Sequence, residues 1–370
     1  MNATSAPAAA PPQPLFITPA EIVSEFSHHT PLSLASTMAA LLQLGMLRSR
    51  NVIKDLINAD HVDEVSIVDN ATTAVSIVLQ HIAWGFAEGR FYPGDATVMF
   101  HCAYGAVKKS VEAYFVRTGG YVIEVPLPFP LYSDDEIVQE FRQALEKAKQ
   151  NNRRVRLAII DHVTFMPTVV IPVKQIVNIC RSAGVDHIFI DAAHGIGCVD
   201  VDMKQIGADF YTSNLHKWLF CPPSATFDSC TVEGLTKALL CIIPFEGGID
   251  GIKKRNHDAV VEMGEMLAKA WGTHLGCPSV FEHGYGGSAC LFGSVERSTH
   301  FEVTNILEGQ VWCRSFDILS STQGRGGRSI YGYAQISYQV YNKVEDYYKF
   351  RDAISQLVQN AFTCASLPNS

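Results

Sequence analysis

The spacing of apolar residues switches between two patterns from about residue 62 to residue 214. Short apolar runs, typical of buried strands, are followed by segments with an apolar residue every three or four positions, typical of amphipathic helices. Because a helix follows each strand, the right-handed crossover rule predicts an α/β protein with a mainly parallel sheet and helices on both faces. The strands are predicted at residues 62–70, 96–101, 121–127, 155–163, 187–191 and 209–214.

The helical segments continue on both sides of this region. Helices are predicted at residues 21–29, 34–58, 72–86, 103–117, 133–150, 169–184, 251–271 and 344–362, and one more strand at 334–340. We expect a disordered tail at 1–20, a large domain at 21–245 and a small C-terminal α+β domain at 246–370. Within the small domain, residues 280–330 are rich in glycine and lack sustained periodicity, so they are expected to be irregular.

The composition limits the kinds of binding partner that the chain can have. A formal net charge of −8 without a dense run of Lys or Arg argues against nucleic acid, and no apolar window is long enough to span a membrane. The ten cysteines form no Cys-x-x-Cys pair and no metal-ligand spacing, so we expect reduced thiols and no metal. The first residues lack a secretory signal pattern, which predicts a cytoplasmic protein and leaves a mitochondrial location open.

The candidate chemistry lies where two neighbouring predicted strands end. Asp191 closes the run HIFID, and Lys217 follows the run DFYTSN, with His216 beside it. Ligand sites of open α/β sheets lie at the carboxyl ends of the strands, so the two side chains are expected to converge. An acid that protonates a pyridine nitrogen and a lysine that forms a Schiff base suit pyridoxal phosphate. In isolation, the same pair also fits a surface ion pair.

Two further segments add parts of such a site. A strand, a short polar turn and a helix meet at Asn70–Thr73, which directs free backbone N–H groups towards an anion and makes Ala71 and Thr72 candidates for a phosphate. The two threonines also fit a simple helix cap. Tyr104 stands at another strand-to-helix corner, where its ring would stack on a flat cofactor or pack between lobes.

Several segments together resemble a known family. They read IVDNATTA, HCAYGAVKKSVEAY, LAIIDHVTFMPTVVIPV, IDAAHGIGCVDVDMKQIGADFYTSNLHKW and FEGGIDGIKKRNH. They are similar to the class V group of fold type I pyridoxal phosphate enzymes, and within it to plant L-cysteine desulfhydrases. The resemblance implies a large domain with a sheet of the seven-stranded type, a smaller C-terminal lobe and a homodimer.

The resemblance also implies roles for individual residues. Lys217 would be the Schiff-base lysine and Asp191 the partner of the pyridine nitrogen. The other implied contacts are with the phosphate for Ala71 and Thr72, with the ring face for Tyr104, near the ring hydroxyl for His194 and Thr164, and with the cofactor more generally for Ser213 and His216. The implied reaction is α,β-elimination on L-cysteine, which gives pyruvate, ammonia and hydrogen sulfide, with Lys217 as the base and His216, beside the imine, as a second catalytic residue.

The chain departs from the family pattern at four places. The N-terminal part is shortened, no Gly-Thr-Arg motif occurs between residues 227 and 245, and Gln335 stands where relatives carry an arginine for the substrate carboxylate. Residues 280–330 match nothing in the family, and we hypothesise a frame-shifted or mis-spliced segment there. Two alternatives therefore stay open. One is a non-catalytic relative that keeps the cofactor scaffold, and the other is a different reaction of the same cofactor: C–S lysis of a larger compound, desulfuration or epimerisation.

Overall fold

The computed structural model describes residues 34–128, 133–165, 168–219, 221, 247–271, 290–294, 315–316, 333–338 and 342–359. The predicted tail at 1–20, the predicted helix at 21–29 and the segment 227–245 lie outside the described residues. So does most of 280–330, and the domain boundary near residue 245 stays a prediction. No described helix is long and apolar enough to cross a membrane.

The described elements follow the predicted alternation. The helices are α1 Leu34–Leu56, α2 Ala71–Ala87, α3 Gly105–Tyr114, α4 Asp134–Gln150, α5 Val173–Ser182, α6 Met203–Ile206, α7 Leu215–Trp218, α8 Gly248–Trp271 and α9 Val344–Gln359. The strands are β1 Ala96–Phe100, β2 Tyr121–Val125, β3 Val155–Asp161, β4 His187–Asp191, β5 Phe210–Thr212, β6 Cys290–Ser294, β7 Ser315–Phe316 and β8 Tyr333–Ser337.

The first five strands form one sheet in the order β2-β1-β3-β4-β5. All four pairings are parallel, which confirms the predicted mainly parallel sheet, and five of its strands lie among the described residues, so the seven-stranded type stays a prediction. Strand β3 is central and every residue of it is buried, as a strand covered by helices on both faces should be. The register places Asp161 beside Asp191 and Asp191 beside Thr212, so polar side chains collect at one edge.

Alternate residues of the strands pack on opposite faces. Ile160 of β3 belongs to a cluster with Phe141 of α4, whereas its neighbour Ile159 belongs to a second cluster with Leu79 of α2. A period of two residues separates the faces of a strand, so the continuous apolar run of β3 supplies both layers. The helices thereby hold the strand ends in fixed positions.

The opposite, amino-terminal end of the sheet holds a buried ion-pair network. Arg156 near the start of β3 donates from Nε to Oδ2 of Asp95 at 2.7 Å and from Nη1 to Oδ2 of Asp186 at 2.7 Å. Its side chain is only 7% exposed. Because removal of one partner would leave a buried charge, this network fixes the loops that enter β1 and β4.

The predicted strand at residues 62–70 is wrong. Val62–Glu64 forms a 3₁₀ turn, and the residues up to Asn70 are irregular. The guanidinium of Arg50 explains the difference, since it donates to the carbonyl oxygens of Val62 and Val65, both at 2.7 Å. A long-range side chain thus takes the backbone acceptors that a strand neighbour would need.

The C-terminal part contains a second, antiparallel sheet in the order β6-β8-β7. Gln335 lies in β8, opposite Phe292 of β6. Helix α8 joins the two parts: Ile252 packs with Ile53 and Leu219. Further along, Val260, Met263, Leu267, Tyr338, Tyr347 and Phe350 form a separate core. The predicted final strand and helix are confirmed.

Candidate active site

Asp191 and Lys217 lie together at the carboxyl edge of the sheet. Asp191 is the last residue of β4, and Lys217 sits in the short helix α7 that follows β5, the neighbour of β4. The positive charge of Lys217 favours the ionised form of Asp191 and so opposes the rise of its pKa. The structure thus brings the acid and the lysine to one place, while their roles stay predictions.

Asp191 is held in a buried, acidic environment. Burial raises its pKa, while the N–H of Ala193, which donates to Oδ1 at 3.0 Å, and the charge of Lys217 oppose the rise. Asp161 lies beside it in the register, and burial and the charge of Asp191 raise the pKa of Asp161 well above its usual range. The Oδ2 atom of Asp161 is buried and has no hydrogen-bond partner among the described residues.

Asp161 belongs to the site although it was not predicted as a site residue. It closes the run LAIID just as Asp191 closes HIFID. The two aspartates could be placed side by side only if the two strands were known to be neighbours in the sheet. Which strands are neighbours is decided by the tertiary fold. The shared ending was the signal that could have found it.

Lys217 contacts His194, which lies in the turn after β4. Lys217 Nζ is 3.1 Å from His194 Nε2, and the indole N–H of Trp218 donates to His194 Nδ1 at 3.4 Å. Burial, with a smaller effect from the charge of Lys217, lowers the pKa of His194 to about 3, so the imidazole is neutral. Trp218 was not predicted as a site residue.

Aromatic rings continue from His194 towards the surface. The ring of Phe165 lies 6.3 Å from that of His194, and the ring of Tyr104 lies 5.5 Å from that of Phe165. Tyr104 is 41% exposed. This exposure fits the predicted stacking role better than a packed lobe interface, and that role stays a prediction.

The turn after β4 is fastened to the lysine helix. The N–H of Ile196 donates to Ser213 Oγ at 3.1 Å. Gly197 adopts φ +88°, and a Cβ atom there would lie 2.8 Å from Cβ of Trp218. Only glycine allows this close approach. The turn therefore fixes His194 against Trp218 and, through it, against Lys217.

The N-terminus of α2 is joined to the same loop. Asn70 caps the helix by accepting from the N–H of Thr73 at 2.9 Å, while Asn214 Oδ1 accepts from the N–H of Ala71 at 2.9 Å in a buried contact. Thr72 lies between these two and is half-buried. The N–H groups of Ala71 and Thr73 are thus bonded within the protein, so the predicted phosphate contact of Ala71 through a free N–H is not supported, and Thr72 stays the candidate. Asn214 was missed because its partner is far away in sequence, yet it places the start of α2 beside α7.

Two other predicted residues have local partners. Thr164 is buried, and its hydroxyl accepts from the N–H of Val169 at 2.9 Å. It stabilises the loop that follows β3. His216 is half-buried, and burial together with the charge of Lys217 lowers its pKa. Their contacts with a cofactor stay predictions.

These residues fit pyridoxal phosphate. The edge offers a buried carboxylate for a pyridine nitrogen, a lysine amine for an aldehyde, a helix N-terminus for a phosphate and an open tyrosine ring for a flat heterocycle. The Oδ2 atom of Asp161 adds a buried polar atom that has no hydrogen-bond partner within the described part of the chain. Within the described residues, no three His, Cys, Asp or Glu side chains are grouped to hold a metal ion.

Solved structures share this fold. A cysteine desulfurase from Thermococcus onnurineus NA1 superposes with a TM-score of 0.66 at 16% identity, covering 92% of this chain and 91% of that one. A cystine C–S lyase in complex with its product cysteine persulfide also gives 0.66 at 16% identity, covering 91% and 92%. The chain thus shares the fold of a cysteine desulfurase and of a cystine C–S lyase.

Sequence comparison narrows the class. The profile of the aminotransferase class-V family matches residues 4–225, and the chain belongs to this family. The "Probable L-cysteine desulfhydrase, chloroplastic" of Arabidopsis thaliana is 49% identical over 429 residues, covering 96% of this chain and 89% of the relative. An L-cysteine desulfhydrase of the same plant is 45% identical over 371 residues, covering 88% and 82%.

Proposed function

We propose that this chain is a pyridoxal-phosphate-dependent L-cysteine desulfhydrase. The reaction consumes one cysteine and one water and releases pyruvate, ammonia and hydrogen sulfide. The observation that carries the proposal is the contact of Lys217 Nζ with His194 Nε2 at 3.1 Å, next to the buried Asp191. The relatives named as L-cysteine desulfhydrases support the choice of substrate.

Each residue of the candidate site has a separate role in the proposed reaction. The cofactor, when bound, draws electrons away from the substrate α-carbon, so that the bond from the β-carbon to sulfur breaks. Lys217 would hold the cofactor through Nζ, and the same Nζ would take the α-proton of the substrate as the base. Asp191 keeps a proton on the pyridine nitrogen. Thr72 at the start of α2 binds the phosphate, and Tyr104 covers the ring.

Desulfuration to a persulfide is less well supported. That reaction needs a thiolate on the enzyme to accept sulfur. Among the cysteines in the described part of the chain, Cys180 and Cys221 are buried, and burial raises the pKa of each to about 12. Such thiols stay protonated at neutral pH and make poor sulfur acceptors.

One observation favours a second candidate, a non-catalytic relative that binds the cofactor. The alignment with the Arabidopsis relative extends over 429 residues, whereas this chain has 370, so the relative carries segments that are missing here. Gln335 in β8 also replaces the charge that would pair with a substrate carboxylate. Cofactor absorbance without turnover would distinguish this candidate from the first.

We also propose a homodimer. Helix α2 exposes Ile77 and Trp84, which are 52% and 63% exposed and lie seven residues apart on one face. An apolar stripe on the helix that starts at the predicted phosphate cup suits an interface beside the site. Sedimentation of the purified chain should give twice the chain mass, and Trp84→Glu should reduce it to the monomer mass. A wild-type monomer would contradict the proposal.

The cellular location stays a prediction. The sequence suggests the cytoplasm, whereas one relative is a chloroplast protein by name. A fluorescent fusion of the full chain in plant cells would test both.

The function is tested by one spectrum and one product assay. Purified protein with pyridoxal phosphate should show the visible band of a lysine-bound cofactor, and addition of L-cysteine should release sulfide and pyruvate in equal amounts. Lys217→Ala should lose both signals. Lys254→Ala, at a lysine of α8 whose side chain is 78% exposed, serves as the matched control and should keep them. Sulfide release by Lys217→Ala would refute the mechanism.

A further inference from the structure

Three side chains form a line inside the site: Trp218, His194 and Lys217. The indole N–H of Trp218 donates to His194 Nδ1 at 3.4 Å, and His194 Nε2 faces Lys217 Nζ at 3.1 Å. Trp218 is buried at 7% exposure. The imidazole is therefore contacted by a different partner at each of its two nitrogens.

The donors and acceptors of these three side chains are compatible with one placement of the protons. An indole nitrogen is a donor only, so Nδ1 of His194 must accept. A neutral imidazole carries one N–H, which then lies on Nε2 and points at Lys217. A protonated lysine is also a donor only, so two hydrogens would oppose each other at 3.1 Å. An unprotonated amine instead accepts the Nε2 proton through its lone pair.

We propose that Trp218 is a positioning residue that sets the tautomer of His194 and so keeps the amine of Lys217 unprotonated before it bonds a carbonyl carbon. The inference rests on the proposed function only in taking Lys217 as the cofactor lysine. The fold supports it, because Gly197 lets the turn that carries His194 approach Cβ of Trp218 to a distance that no other residue allows.

Other titratable groups act on the same amine. The carboxylate of Asp191, at the end of β4, favours the protonated amine, whereas Lys217 and its neighbour His216 in α7 repel each other when both are charged. Asp161 of β3 lies beside Asp191 in the register, and burial together with the charge of Asp191 raises the pKa of Asp161. The contact with His194 opposes the effect of Asp191 on Lys217. Loss of that contact should therefore raise the pKa of the Lys217 amine.

The first test is nuclear magnetic resonance of the full chain freed of cofactor, with ¹⁵N-labelled histidine. The His194 signals, assigned by their loss in His194→Gln, should show a protonated Nε2 and a bare Nδ1. Trp218→Phe keeps an aromatic ring without the donor and should populate the other tautomer. Tyr92→Phe, at an exposed tyrosine before β1, should change nothing. A wild-type His194 protonated at Nδ1 would overturn the proposal even if Trp218→Phe did not fold.

The second test measures the amine itself. The rate at which pyridoxal phosphate attaches to Lys217 should depend on pH with a midpoint that reports the pKa of the amine. Trp218→Phe should raise that midpoint by about one pH unit, the usual effect of one hydrogen bond to a charged group. An unchanged midpoint would refute the role of Trp218. Absence of sulfide release by a wild-type protein with the expected tautomer would reject the proposed function alone.

Discussion

Replacement of Gly197 by alanine tests how tightly the turn after β4 is fastened to the lysine helix. The new Cβ would lie 2.8 Å from Cβ and 2.9 Å from the carbonyl oxygen of Trp218. Real Cβ atoms do not approach backbone so closely, so either the turn or α7 must move. The substitution thus acts on the contact that places His194 beside Lys217.

Two costs add up at this position. A non-glycine residue in the left-handed region costs about 1–2 kcal/mol, and forcing an extra methyl into a packed site costs about 1–3 kcal/mol. Gly197→Ala should therefore lower the free energy of unfolding by about 2–5 kcal/mol. Gly184 is the matched control, since it has φ +75° but nothing within 4 Å of an added Cβ. Gly184→Ala should show only the first cost.

Urea denaturation followed by circular dichroism measures both free energies. Because the shift displaces Trp218, Gly197→Ala should also weaken cofactor attachment to Lys217, whereas Gly184→Ala should not. Equal destabilisation by the two variants would refute the reasoning, because it would mean that the close approach to Trp218 contributes nothing.

Three further predictions concern Asp161, Asn214 and Gln335. Burial raises the pKa of Asp161, so the folded chain binds the proton of this carboxyl group more tightly than the unfolded chain does. The free energy of unfolding should therefore fall as the pH rises from the unfolded pKa of about 4 towards the raised folded pKa. Asp161→Asn should flatten that fall, as measured by urea titrations at several pH values. Asn214→Ala leaves the Ala71 N–H without its buried acceptor and should cost about 1–3 kcal/mol by the same denaturation assay, with a weaker affinity for pyridoxal phosphate. Gln335→Arg restores a charge for the substrate carboxylate and should raise kcat/KM for L-cysteine about tenfold; an unchanged value would show that β8 does not face the substrate.

The local sequence pattern was sufficient to predict the parallel sheet and the residues at which its strands end. The run of β3 is apolar because both faces are covered, and the runs that end in Asp191 and Asn214 could be placed at one edge by the crossover rule. The same reasoning failed at residues 62–70, where valine and isoleucine suggested a strand. The acceptors there are taken by Arg50, and a guanidinium from another helix leaves no trace in the local pattern.

The site was predicted in its parts and not in its connections. Asp191, Lys217 and the start of α2 could be proposed from the sequence because each stands at a recognisable junction, and their roles stay predictions. Asn214 and Trp218 were missed, since their importance lies in single hydrogen bonds to distant partners, Ala71 and His194. Such pairings depend on distances of a few tenths of an ångström, which follow from packing and have no local signature.

The two ends of the sheet differ in how their buried charges are balanced. At the amino end, Arg156 neutralises two carboxylates, whereas at the carboxyl end Asp161 and Asp191 lie side by side and burial raises the pKa of both. The amino end is thus fixed by ion pairs of the protein itself, and a bound, positively charged ring nitrogen would stabilise the carboxyl end. Backbone amides at the carboxyl end should therefore exchange with deuterium faster than those at the amino end, and bound pyridoxal phosphate should remove the difference.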